Sequence, residues 1–359
     1  MSRKPEGELR RGWTTGACAT AAAKAAFEAL LTGEFPDPVT IALPRGEQPA
    51  FPLARKELGD GFAMAGIIKD AGDDPDVTHG ALVLASLRHG AAGSGVTFRA
   101  GEGVGTVTKA GLPIPPGEPA INPAPRAMMR AVIESVAAAH GAAADIEITI
   151  AIPGGEELAA KTWNPRLGIL GGLSILGTTG IVVPYSCSAW IQSIRSGIDV
   201  ARANGLTHVA GATGKTSEAA LRARYGLPLE ALIDMGDFAG GMLKYLRDHP
   251  VPRVTVAGGF AKMVKLAQGH MDLHSSRSQV DFGKLAAWLM ELGAAKDIVE
   301  AARNANTAAQ VLELAGDLPL GPLVARRARE VALAMLAGGI DLDVLVVDRA
   351  GRIVGEARS

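Results

Sequence analysis

Three apolar runs in the second half of the chain, at residues 206–210, 231–235 and 254–257, are each followed by a stretch of helical periodicity. This rhythm constrains the fold more than any other feature of the sequence. Parallel strands cannot be joined by tight hairpins, so a crossover helix must intervene, and such helices cover the faces of the sheet. The second half is therefore expected to be a layered α/β domain with a partly parallel sheet. Residues 188–203 supply an amphipathic helix, with Ile191, Ile194 and Ile198 on one face and Gln192, Arg195, Asp199 and Arg202 opposite. Residues 283–337 read as nearly all helix, and 342–347 return to strand.

The first half has another rhythm. Residues 15–31 predict a helix that Thr14 or Thr15 can cap and Gly33 ends. Short strand-like runs follow at 39–43, 62–69, 81–87, 96–99 and 104–108, separated by Gly, Pro and Asp. Asn122 caps a second helix with Pro123 in its first turn, and Gly141 stops it after His140. Residues 145–152 read as a further strand, and 174–183 hold strand-like runs around a glycine turn. The change of rhythm near 153–164 predicts two domains, 1–160 and 161–359.

With 359 residues, 48 % of them apolar, the chain can bury two sizeable cores. Aromatics are 4 %, so Ala, Val, Ile, Leu and Met must fill those cores. The formal net charge of −1 lacks the basic excess of a nucleic-acid binder, but leaves room for a local basic pocket for an acidic small molecule. Cys18 and Cys187 are too few for a disulfide framework and have no zinc-type spacing; they read as idle thiols in a reducing compartment. The charged start is not followed by a signal-type apolar run, and residues 17–31 carry Lys24 and Glu28. A cytoplasmic protein without membrane or nucleic-acid partners is expected, with homo-oligomerisation left open.

Six segments carry residue types suited to chemistry. Residues 69–80, KDAGDDPDVTHG, crowd Asp70, Asp73, Asp74 and Asp76 after an apolar strand. Their repulsion needs an offset from backbone donors, a metal ion or a cationic ligand. The loop is either a solvated acidic turn ahead of Pro75 or the border of an active cleft, with Asp70, Asp73 and Asp74 as catalytic candidates. Calcium-loop spacing is not met, and no metal is expected. Residues 101–109, GEGVGTVTK, lead into a strand, so their glycines suit a hairpin or a close backbone approach and not a dinucleotide fingerprint. At 117–126, GEPAINPAPR, the helix start can offer amides to a carboxylate with Arg126 alongside. The Gly-Thr-Thr-Gly turn at 177–180 suits either a tight structural turn or a ligand.

Residues 211–218, GATGKTSE, resemble a phosphate loop, but Val209 stands where the Walker pattern requires glycine. The setting is still strand, small-residue turn and helix start, with Thr216 or Ser217 able to cap. Asp234 ends the next strand, a layout that suits adenosine without requiring phosphates. In 258–270, Lys262 and Lys265 can share one helix face, whether for a ligand or for solvent. His270 and His274 are spaced i, i+4, but Gly269 weakens the helix and no third ligand is evident, so zinc is not expected.

Together these segments make the chain similar to the cobalt-precorrin-5B C1-methyltransferase family of corrin-ring synthesis. The likeness begins at Arg11-Gly12-Trp13-Thr14-Thr15-Gly16-Ala17-Cys18. It continues through KDAGDDPDVTHG, GEGVGTVTKAGL, GEPAINPAPR and LSILGTTGIV to MDLHSSRS. Trp13 departs from the usual Tyr or Phe, and Ala261 from the expected glycine before Lys262. The resemblance implies an N-terminal α+β domain like the ribosomal S5 domain 2 fold and a C-terminal three-layer α/β/α domain. It implies methyl transfer from S-adenosylmethionine to C1 of a tetrapyrrole, converting cobalt-precorrin-5B to cobalt-precorrin-6A. The nucleophile in such a reaction is an electron-rich ring carbon, so no activated side-chain nucleophile is required. On this reading Gly177, Thr178, Thr179, Gly180, Gly211, Thr213, Gly214 and Asp234 are candidates for holding the donor. Lys69, Lys109, Arg126, Lys215, Lys262 and Lys265 are candidates for the substrate carboxylates. The alternatives are a small-molecule kinase using the 211–217 turn and a non-catalytic corrinoid-binding protein. Val209 argues against the first; two potential ligand surfaces, one adenosine-like and one basic, argue against the second.

Overall fold

The computed structural model describes residues 7–359. The chain divides into two compact units, one ending at Ser186 and one running from Cys187 to Ser359. The division falls later than the expected 160/161 because strand pairs stitch residues 161–186 into the first unit. Ile169–Leu170 pairs with Thr106–Val107, and Ile181–Val182 with Gly12–Trp13. Leu173 and Ile175 also enter the first unit's core.

In the first unit, α1 (Thr15–Thr32) begins where Thr14 Oγ1 accepts the Ala17 amide at 3.1 Å and ends at Gly33 with φ 83°. The strands are β1 (Arg55–Gly59), β2 (Phe62–Ile68), β3 (Leu82–His89) and β4 (Val96–Ala100). Helix α2 (Pro123–His140) and strand β5 (Ile146–Ala151) follow. Sheet order is β1-β2-β3-β5-β4, antiparallel except where β4 meets β5. Strand alternation turns Ala63, Ala65 and Ile67, Val83, Ala85 and Leu87, and Ile146, Ile148 and Ile150 into one core. The alanines of α1 and Met129 and Ile133 of α2 complete it. Cys18 is buried there, and burial pushes its thiol pKa up to about 12. The runs expected at 39–43 and 104–108 shorten to Val39–Thr40 and Thr106–Val107. Asn122 holds the N-cap position of α2, but its side chain makes no capping hydrogen bond.

The alternating glycines near 103 serve contact of chain on chain. Gly103 has φ 70°, and a Cβ there would stand 2.0 Å from the Ile152 carbonyl oxygen. Gly155 and Gly172 press on the same backbone. Gly103→Ala is expected to cost at least ~1–3 kcal/mol of stability from backbone strain alone, measured as a lower urea midpoint.

The second unit starts with α3 (Cys187–Ala203), β6 (His208–Ala212), α4 (Lys215–Tyr225) and β7 (Leu232–Asp234). It continues with α5 (Ala239–Asp248), β8 (Arg253–Gly259) and α6 (Phe260–Ala267). Four helices follow: α7 (Phe282–Glu291), α8 (Lys296–Arg303), α9 (Ala308–Leu314) and α10 (Leu320–Leu336). Strands β9 (Asp341–Val347) and β10 (Ile353–Ala357) close the chain. Sheet order is β7-β6-β8-β9-β10, with the first four parallel and β10 antiparallel. One face packs Ala210, Ala212, Ala257 and Leu345 against Leu221 of α4. On the other, Gly211 lies under Met242 of α5 and Ile233 meets Gly197 of α3. Helices on both faces give the layered α/β arrangement that the strand–helix rhythm predicts.

Candidate active site

In the second unit, β6 and β8 lie side by side while β7, which joins them in sequence, lies on the far flank of β6. That is a topological switch point, the place where open α/β sheets bind ligands beyond the carboxyl ends of their strands. A crevice of about 960 Å³ opens there. Its walls are the 213–217 turn after β6, residues 259–262 after β8, the 347–352 hairpin after β9, and parts of α9 and α10. Its size is in the range of small-molecule sites, roughly 300–1,000 Å³.

The 213–217 turn is held from both sides. Thr213 N–H donates to Ala257 O, and Lys262 Nζ donates to Thr213 O, each at 3.0 Å. Gly214 occupies the N-cap of α4, so Thr216 and Ser217 fall inside the first turn instead of capping it, and Ser217 Oγ donates to Gly214 O at 2.9 Å. Gly259 stands likewise before α6. Neither glycine has a side chain to take the first amides, which are the groups a helix start offers to a ligand.

The other second-unit candidates differ in position. Lys215 lines the crevice. Lys262 is half-buried on its wall, with Nζ 3.0 Å from Asp237 Oδ1. Lys265 is buried beneath, where it donates to Leu273 O at 3.0 Å and burial lowers its pKa. Gly211 packs inward: a Cβ would lie 2.4 Å from Met242 Sδ. Asp234 ends β7, and its carbonyl accepts Trp190 Nε1–H at 3.0 Å. The hairpin adds Asp348, for which the sequence offers no motif beyond an acidic turn residue. Its carboxylate accepts Arg352 N–H at 2.9 Å and Nε–H at 2.7 Å.

In the first unit the aspartate-rich loop finds its offset in local donors. Asp70 takes a two-pronged contact from Arg10, at 2.5 and 2.9 Å. These bonds, with the Gly72 amide, hold its pKa down to about 2. Asp73 accepts the Arg10 amide at 2.6 Å, and Asp74 accepts the Tyr185 amide at 2.8 Å. Asp76 and Thr78 take the ammonium of buried Lys69. Burial acts to raise the Asp76 pKa, but the Lys69 charge and the bonds from Lys69 and Thr78 outweigh it and hold it low. The loop thus fastens residues 10–13 and 185 to the sheet.

Gly177, Thr178, Thr179 and Gly180 form the turn beside the start of α1. Thr14 N–H donates to Gly180 O at 2.9 Å, Gly16 N–H to Leu176 O at 3.1 Å, and Gly177 abuts the Thr14 side chain. Arg126 clamps its own loop, donating to Ile121 O at 2.8 Å, Pro119 O at 3.0 Å and Glu118 at 3.2 Å. The Lys109 side chain packs over Gly168. Among the described residues no group of three His, Cys, Asp or Glu is placed to hold a metal ion, and no helix is long and apolar enough to cross a membrane.

A mostly parallel sheet with helices on both faces and a crevice at its switch point defines the second unit as a layered α/β domain, and the first is an α+β unit. The family model CbiD matches residues 2–184, and CbiD, C-terminal domain, matches residues 272–358. The cobalt-precorrin-5B C(1)-methyltransferase of Paramagnetospirillum magneticum is 66 % identical over 353 residues, 98 % of this chain and 99 % of that protein. The protein of the same name from Brucella canis is 61 % identical over 358 residues, covering 98 % and 97 %. A crystal structure of a cobalamin biosynthesis protein (cbiD) from Archaeoglobus fulgidus is 28 % identical, with a TM-score of 0.42 over 76 % of this chain and 84 % of that one. The chain belongs to the CbiD family.

Proposed function

We propose that the protein transfers a methyl group from S-adenosylmethionine to C1 of cobalt-precorrin-5B, giving cobalt-precorrin-6A, in the cytoplasm. Identity of 61–66 % with proteins named for that reaction, over nearly the whole chain, carries the reading. The switch-point crevice is our choice for the donor site, because its turn suits a nucleoside and its volume suits a small molecule. The donor, when bound, supplies an electrophilic methyl group on a sulfonium.

The chain's own residues bind and orient. Thr213 and the open amides after Gly214 offer hydrogen bonds to a nucleoside, and Ala308, Leu312 and Val354 offer apolar wall to a purine. Lys215 and Arg349 at the crevice suit the carboxylates of the tetrapyrrole. Lys69 and Arg126 already spend their donors inside the first unit, which favours a supporting role for both. The same holds for Asp70, Asp73 and Asp74. Since the ring carbon is itself the nucleophile, the chain's contribution is alignment and exclusion of water.

A kinase would need phosphates in the same turn, and Val209 leaves the cradle short of its glycine. Calorimetry should show binding of S-adenosylhomocysteine and none of ATP. Binding of ATP without S-adenosylhomocysteine would overturn the reading.

A further inference from the structure

The loop after β7 carries a buried charge that faces the crevice wall from behind. Asp237 is 9 % exposed. Its Oδ1 lies 3.0 Å from Lys262 Nζ in an ionic contact, not an aligned hydrogen bond, and among the described residues that oxygen has no hydrogen-bond partner. A carboxylate placed this way contributes little to stability, since desolvation offsets most of the attraction. Its surroundings are nonetheless built to keep it there. Asp237 O accepts the Leu273 amide at 2.9 Å, and Leu273 O accepts Lys265 Nζ at 3.0 Å. The 235–238 loop, α6 and residues 271–273 are therefore pinned together, which holds the backbone that carries the Asp237 carboxylate.

This fixes the Lys262 ammonium in space. One proton goes to Thr213 O, and Asp237 draws the charge to the same spot. An ammonium has three donors, so donor capacity remains on a side chain that is 35 % exposed and lines the crevice. We propose that Lys262 is the carboxylate anchor of the crevice and that Asp237 is its positioning residue, so that the site selects nucleosides bearing an amino-acid carboxylate. The inference rests on the crevice being the donor site. It adds the group that distinguishes the donor from a bare nucleoside.

The test compares S-adenosylhomocysteine with 5′-methylthioadenosine, which keeps the nucleoside and thioether but lacks the amino acid. The whole protein should prefer the former about 10- to 100-fold, the ratio of a charge-assisted contact. Lys262→Met should erase that preference by weakening S-adenosylhomocysteine alone, and Lys262→Arg should keep part of it. Asp237→Asn should reduce the preference while leaving 5′-methylthioadenosine unchanged, which a merely structural role would not do. If Lys262→Met binds both ligands and keeps the preference, or raises KM for the tetrapyrrole alone, the inference fails and the crevice reading stands. If neither ligand binds the unaltered protein, the crevice reading fails and takes the inference with it.

Discussion

Replacing Lys69 with Met is expected to destabilise the first unit by about 2–4 kcal/mol and to lower its melting temperature by roughly 5–15 °C. Lys69 is 2 % exposed, and its ammonium is shared by Asp76 and Thr78. Methionine fills a similar volume, so the loss is electrostatic: Asp76 and Thr78 keep their places without the cation that joins them. The figure straddles the lower end of the range for broken buried pairs, about 3–5 kcal/mol, because the Asp76 side chain is 24 % exposed and water can partly replace the ammonium. Asp76→Asn should cost more, since it leaves the deeper charge unpaired. The double variant Lys69→Met with Asp76→Asn should recover part of the loss, which thermal melts of all three would show. A Lys69→Met protein melting like the unaltered one would remove the pair as the loop's support.

The pair also sets a pH dependence. The folded pKa of Asp76 lies below its unfolded value. Its contribution is thus fully present above the ordinary carboxylate pKa of about 3.9 and fades as pH falls through the lower folded value. The Lys69→Met variant should lose stability less steeply in acid than the unaltered protein.

Helix α1 was legible because its signals are local: Thr14 caps it and Gly33 stops it within one window of sequence. Strands β2, β3 and β5 were legible from alternation or apolar runs, and the parallel sheet from the strand–helix rhythm. Strand β1 was not, because Arg-Lys-Glu-Leu-Gly is a polar edge whose exposure hides any apolar period. The acidic loop was found, but not its partners: Arg10 lies 60 residues from Asp70, and Tyr185 lies 111 from Asp74. Only folding brings those donors in, so repulsion without an offset was all the sequence could display. The crevice was half visible. The 213–217 turn and Lys262 belong to motifs, whereas Asp348 and the walls from α9 and α10 carry ordinary helix and hairpin residues. Asp234 ends β7, which lies beside β6 on the side away from β8, as the ribose-carboxylate strand does in the nucleotide-binding layout, but Asp234 is not among the residues lining the crevice.

That same geometry makes Gly259 the most direct probe of the crevice. Gly259 has φ −62° and ψ 146°, angles open to any L-residue, and a Cβ there would meet nothing within 4 Å. It lines the crevice, so a larger side chain would grow into the space proposed for the donor. Gly259→Phe is therefore expected to fold with stability close to that of the unaltered protein, because the backbone angles suit any L-residue and the first side-chain atom has open space. It should weaken S-adenosylhomocysteine by about 10- to 100-fold, as filling a formed cavity forces the ligand or the ring aside, and methyl transfer should fall with it. Gly321→Ala supplies the contrast: its Cβ would stand 1.9 Å from Val354 O, so stability should fall in a variant whose added group is far smaller. A folded Gly259→Phe protein that binds S-adenosylhomocysteine and turns over normally would move the donor site out of this crevice.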